Sequence, residues 1–226
     1  MTAGNAAYDG PEDLPLDVPL FPLARVLLLP RSPLPLIIFE PRYLSMIDAA
    51  LAGHRLIGII QPRLDREPGQ DEGTATLCEV GCLGRITSFS ETGDGRYQVT
   101  LTGVVRFRIE DERPSGRLYR VARVSPAFAV DFEAQAGESE VDRSALLKAF
   151  AAYLDANGLE ADWDNVQKTS TETLVNSLCM MSPYGAAEKQ ALLEAPDLKT
   201  RAETLIALTE IALARGRGKR EPTTLN

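Results

Sequence analysis

Between Leu16 and Pro62 the chain is strongly apolar but broken by Pro19, Pro22, Pro30, Pro33, Pro35 and Pro41. Proline fixes φ and gives no donor to a sheet ladder, so this run predicts short extended pieces rather than one central strand. The pieces end near Phe21, Pro30 and Phe39. After Glu40-Pro41 the period changes: Tyr43, Met46, Ile47, Ala50 and Leu51 recur at helical spacing, with Arg42, Ser45, Asp48 and Ala49 opposite. Pro41 suits a first helical position and Gly53 a stop. The run LIGIIQP then predicts a strand.

Residues 62–76 are polar and rich in breakers, a surface loop. LCEVGCLGRITSF reads as a strand bending near Gly81 or Gly84, and Thr92 to Gly95 supplies a hairpin turn. From Tyr97 to Ile109 the alternation is regular. Tyr97, Val99, Leu101, Val105, Phe107 and Ile109 share one face; Gln98, Thr100, Thr102, Arg106 and Arg108 share the other. This is long against a usual strand of about 5–6 residues, so Gly103 is expected to carry the chain from one sheet into another. RLYRVARVSPAFAV gives a further strand.

Beyond Asp131 the period is helical. Leu146, Phe150, Tyr153 and Leu154 form a stripe ending near Asn157-Gly158. Thr169 to Glu172 fits a capping box for a helix carrying Leu174, Val175, Leu178 and Met181, and Asp197 can cap a last helix. The expectation is an α+β chain: a closed or nearly closed β-barrel with one helix in its N-terminal part, followed by a C-terminal α-helical bundle. Its boundaries are a disordered tail at 1–15, the barrel at 16–130, the bundle at 131–214 and a basic disordered tail at 215–226.

Composition narrows the function. The 226 residues are 44% hydrophobic and 25% charged, with a net charge of −8, which argues against a general nucleic-acid binder. Residues 131–226 carry 10 basic against 16 acidic residues, whereas residues 1–130 carry 14 arginines against 16 acids. Three cysteines are too few for a disulfide framework, and the N-terminus lacks a signal core, so a cytoplasmic setting is expected.

Candidate chemistry is sparse. The single histidine, His54, follows a helix stop with no nucleophile elbow anywhere, and reads as a solvated loop residue. Cys78 and Cys82 share a face but lack the partners of a zinc site, so buried apolar cysteines are expected. Gly216 to Lys219 departs from a phosphate loop, with Leu213 and Arg220 in place of required residues. Arg85, Arg106 and Arg108 are expected on a polar strand face with Thr87, Thr100 and Thr102, without the aromatics that stack bases. Trp163, in a polar DWDN setting, reads as an exposed anchor or a hinge packing residue, with packing favoured. Glu40 and Arg42, beside the apolar Phe39 and Tyr43, can frame a polypeptide-binding edge. No metal, cofactor or catalytic residue is expected.

Three motifs in order carry a resemblance: PLFPL followed by P-L-x-IFEPRY and IGIIQ; the hairpin with Glu79, Gly81, Ile86, Asp94, Gly95, Gly103, Arg106 and Ile109; and KQALLE followed by Arg201. The chain resembles the N-terminal substrate-binding domain of Lon proteases, in particular stand-alone bacterial relatives, over about residues 16–212. The resemblance implies a PUA-like pseudo-barrel followed by a helical bundle. It also implies a non-enzymatic module that binds unfolded or exposed apolar polypeptide, since the family's ATPase and Ser-Lys peptidase domains have no counterpart here. Phe39, Glu40, Arg42 and Tyr43 are the expected contacts. Expected partners are unfolded polypeptide, with a protease or chaperone as recipient and weak self-association as a further option; a membrane is not among them. The alternative is an RNA-binding PUA-like protein, a fold analogy that the acidic balance opposes.

Overall fold

The computed structural model describes residues 1–63 and 75–218, with side chains to residue 215. The elements are β1 (Thr2–Ala3), β2 (Ala6–Ala7), β3 (Asp17–Pro22), β4 (Pro33–Ile38), α1 (Pro41–Leu51), β5 (Leu56–Ile60), β6 (Val80–Glu91), β7 (Tyr97–Arg113) and β8 (Arg120–Pro126). Helices follow: α2 (Arg143–Asn157), α3 (Trp163–Lys168), α4 (Thr171–Met181), α5 (Ala186–Glu194) and α6 (Leu198–Gly218). The chain is α+β. Strands β7, β6, β5, β3 and β8 pair in sequence, and β8 pairs back to β7, which closes the ring. Among the described strands only β3–β5 is a parallel pairing. β4 lies outside the ring on the first half of β7, as an edge. Pro33 and Pro35 are tolerated there because a missing N–H costs nothing on the open side.

Gly103 is where β7 changes role. A Cβ at that position would stand 2.0 Å from the carbonyl oxygen of Leu29, so only glycine admits the buried Leu27 to Leu29 segment. Immediately beyond it the register slips. Gly84 pairs with Gly103 and Leu83 with Val105, which leaves Val104 as an extra residue. One extra residue reverses the alternation of everything that follows. Val99 and Leu101 face the helices, while Val105 and Phe107 fill the barrel interior with Val18, Leu20 and Leu83. Phe107 fits because Gly81 lacks a Cβ, which would lie 2.5 Å from its ring.

This bulge corrects the reading of Arg106. Instead of joining Arg85 and Arg108 on a polar face, Arg106 turns to the helix-covered side and is 1% exposed. Asp131 accepts from its Nε at 2.9 Å, its Nη2 at 2.8 Å and its backbone N–H at 2.9 Å. Its Nη1 donates to the carbonyls of Leu193, at 2.9 Å, and Ala195. The guanidinium also lies 3.8 Å from the Phe128 ring centroid. A buried charge is tolerated only when paired and bonded in this way. The same junction holds Arg201, whose Nη1 donates to Asn176 while Asn176 donates to Pro30. Burial, with Arg106 nearby, pushes Arg201 down to about 10. Arg31 donates to Glu172 and to the Asp131 carbonyl, tying the Pro30 turn to α4.

Three further expectations change. Residues 1–15, read as a tail, include the hairpin β1–β2, with Ala3 and Tyr8 buried against the barrel-interior cluster. The Tyr8 hydroxyl accepts from Arg85 at 3.2 Å. Few but well-placed apolar side chains cover the barrel there, a tertiary fit that periodicity does not register. Ser170 caps α4, accepting from the Thr173 N–H at 3.2 Å, but Glu172 reaches Arg31 and the Gln135 N–H rather than completing a box. The short α3, capped by Asp162, stands where no helix is expected. The Pro62 to Thr76 loop falls largely outside the described residues, as does most of the 215–226 tail, although α6 itself continues to Gly218.

Candidate functional site

A groove of about 640 Å³ opens among the helices, between α2, α3, α4 and α6. Its floor is the helical core, including Leu146, Leu154, Leu174 and Leu205. These residues point inward because their spacing places them on one face of each helix. The walls are Phe150 and Tyr153 on α2, Leu178 and Met181 on α4, and Ile206 on α6. Met181 ends its helix 81% exposed, and Leu159, in the α2–α3 connection, is 52% exposed. Polar groups also line it, among them Glu160, Asn165, Ser177 and Thr209. Thr209 meets the Tyr184 hydroxyl at 2.8 Å and donates to the Leu205 carbonyl at 2.8 Å. Burial pushes the Tyr184 phenol up. An open, mostly apolar trough of this kind is a shape that can receive apolar side chains.

The residues expected from sequence gather elsewhere and separate in environment. Phe39, just past β4, is 62% exposed, as is Ile37 on that strand. Glu40 accepts from the Arg42 Nε at 2.9 Å, and the Arg42 guanidinium sits 4.7 Å from the Tyr43 ring centroid. Tyr43 itself is buried, its ring 4.2 Å from that of Phe21 between α1 and β3. Phe39 is thus open to solvent, Arg42 is half-buried and engaged by Glu40 and the Tyr43 ring, and Tyr43 belongs to the core. Trp163 packs on Phe150, with ring centroids 5.9 Å apart, and keeps one face open at 40% exposure. The groove residues Phe150, Tyr153, Leu178 and Met181 were legible as helix stripes; that the stripes leave a gap between them was not.

Other chemistry-bearing groups are inert or apart. His54 is exposed in the turn after α1, its carbonyl accepting from Arg85 at 2.9 Å. Burial pushes the Cys82 thiol well up and that of Cys179 up to about 12. Neither is a nucleophile at neutral pH. Among the described residues no group of histidine, cysteine and carboxylate side chains is arranged to hold a metal ion. None of the described helices is long and apolar enough to cross a membrane.

Comparison with known proteins agrees with this architecture. Residues 17–210 match the family model of the ATP-dependent protease La (LON) substrate-binding domain. The chain is 29% identical to Lon protease 2 of Sorangium cellulosum, over all of this chain and 28% of that protein. To Lon protease 2 of Myxococcus xanthus it is 27% identical, over 87% of this chain and 24% of that one. It thus spans about a quarter of the length of these relatives. Among solved structures, the Lon N-terminal domain protein from Xanthomonas campestris superposes with a TM-score of 0.59 at 23% identity, covering 84% of this chain and 97% of that one. The N-terminal domain of Mycobacterium avium complex Lon protease gives 0.63 at 21%, covering 86% and 98%. With the ring of strands, the helical layer and the match from residue 17 to residue 210 all in hand, the chain belongs to the Lon substrate-binding domain family.

Proposed function

We propose that this chain is a non-enzymatic polypeptide-recognition module that holds exposed apolar segments of unfolded protein, for transfer to a protease or chaperone. The observation that carries this reading is the open apolar groove among α2, α3, α4 and α6, with Met181 and Leu159 exposed at its mouth. A bound segment would lose surface on several sides there, which is how apolar burial turns into affinity without covalent chemistry. Membership of a family named for substrate binding supports the same reading. The closed ring of strands supports a PUA-like barrel as the platform. The free cysteines, Cys82 and Cys179 buried and Cys78 half-buried, suit a reducing, cytoplasmic setting.

The RNA-binding alternative loses support with Arg106, which is withdrawn from the strand face that Arg85 and Arg108 were expected to share with it. Titrating the protein into a fluorescently labelled, permanently unfolded polypeptide tests the proposal by anisotropy. Saturable binding that Met181→Glu weakens supports it. A flat titration, or binding that exchanges freely with RNA, overturns it.

A further inference from the structure

We propose that Met181 is an oxidation site: hydroperoxides convert its thioether to the sulfoxide, and the sulfoxide closes the helical groove to apolar polypeptide. The closure, though not the oxidation, rests on the polypeptide-recognition reading above. The chain has four methionines. Met46 is fully buried in the core, and Met1 and Met180 are half-buried, each packed against a core cluster. Met181 is different. It ends α4, it is 81% exposed, and it lines the groove. A thioether reacts through a sulfur lone pair and needs no prior deprotonation, so access decides which methionine is attacked. The thiols compete poorly, because Cys82 and Cys179 are buried and burial holds both away from the reactive thiolate. Cys78 is half-buried and lines a separate hollow with Val80, Arg108 and Phe128.

The step is an oxygen-atom transfer. The sulfur lone pair attacks the terminal oxygen of the hydroperoxide, and an S–O bond forms as the O–O bond breaks. The proton on the transferred oxygen passes to the departing oxide, which leaves as water or an alcohol. Sulfur loses two electrons and the peroxide gains them. The side chain keeps its length but exchanges an apolar, polarisable sulfur for a dipolar S=O group. Leu178, one turn earlier on α4, and Pro183, just beyond it, line the groove with Met181. An apolar side chain seated among them would strip water from the new oxygen without offering it a hydrogen bond, which is unfavourable. Leucine at this position would supply apolar surface as Leu178 does; sulfur alone makes the surface responsive to peroxide. The same exposure leaves the sulfoxide open to methionine sulfoxide reductases, so the change is reversible.

The test treats the full chain, carrying Cys78→Ser to remove the half-buried thiol, with hydrogen peroxide for graded times. Tandem mass spectrometry reads oxygen uptake at each methionine, and anisotropy with a labelled, permanently unfolded polypeptide reads binding on the same samples. Met181 is expected to gain one oxygen before Met1, Met180 and Met46, and affinity to fall about fivefold in step with it. Treatment with both methionine sulfoxide reductases is expected to restore the affinity. The Met181→Leu chain is expected to hold its own starting affinity through the same peroxide treatment. Attack on Met1 or Met180 ahead of Met181 overturns the site. Complete sulfoxide at Met181 with unchanged affinity overturns the closure and leaves polypeptide recognition standing. A loss of binding that Met181→Leu does not prevent, or that the reductases do not reverse, overturns the closure too, because other damage is then responsible. Absence of binding before peroxide is added overturns the recognition reading and the closure with it, while the order of oxygen uptake still decides the site.

Discussion

The edge of the barrel and the groove among the helices both expose large apolar side chains, but they differ in shape and support. At the edge, Ile37 and Phe39 are each 62% exposed beside a strand whose other face is held by β7. Pro33 and Pro35 remove two of the donors that an added strand would need. In the groove, side chains from four helices surround a common hollow of about 640 Å³. A ligand at the edge covers one face of each side chain, whereas a ligand in the groove is enclosed. Exposure by itself therefore ranks the two surfaces equally, and concavity separates them.

The largest effects should come from the residues that support both surfaces. Arg106→Ala leaves Asp131 buried and uncompensated, and is expected to lower stability by about 3–5 kcal/mol in urea unfolding. Tyr43→Ala removes the ring that packs on Phe21 and should cost about 3 kcal/mol, read in the same way. If Tyr43→Ala instead leaves stability unchanged and abolishes polypeptide binding, the edge is the recognition surface and the comparison reverses. Next in size is the contrast between the surfaces themselves. Met181→Glu should weaken binding of an unfolded polypeptide about tenfold by placing a charge at the apolar mouth, while Phe39→Ala should change it less than about twofold. Comparable losses from both would mean a ligand that spans barrel and helices.

The smallest effect concerns the helix that forms one wall of the groove. Asp197 accepts from the Thr200 N–H at 2.7 Å, and the Thr200 bonds hold its carboxyl below the ordinary value of 3.8. The carboxylate form is the bonded one, so its contribution is complete above that value and fades as the pH falls through the lowered one. Asp197→Ala should cost about 1 kcal/mol near neutrality, and the difference from the parent chain should shrink in acid. A difference that persists undiminished at about pH 2 would assign the effect to packing rather than to the cap.

Much of this fold was written in local patterns. α1 begins at Pro41 as expected, because proline suits a first helical turn and its apolar residues recur on one side. The long strand β7 and the break at Gly103 were visible in the alternation and in the glycine. α2 ends at Asn157, and the cap residue Gly158, with a positive φ of 64°, is the left-handed stop that the Asn157-Gly158 pair announces. The family was legible too, through motifs spread across nearly the whole chain.

What local patterns determined was the kind and order of the longer elements, though not the β1–β2 hairpin or α3, since period, capping and turn chemistry act over a few residues. The tertiary structure decided which face each element turns inward. A single inserted residue at Val104 reversed the second half of β7 and turned Arg106 from an apparent surface cation into a buried tie between barrel and helices. Likewise, the apolar stripes of α2, α4 and α6 are periodic in sequence, but the groove between them exists only because their packing leaves a gap. Register and the space between packed surfaces depend on residues far apart in the chain, and no local period encodes them.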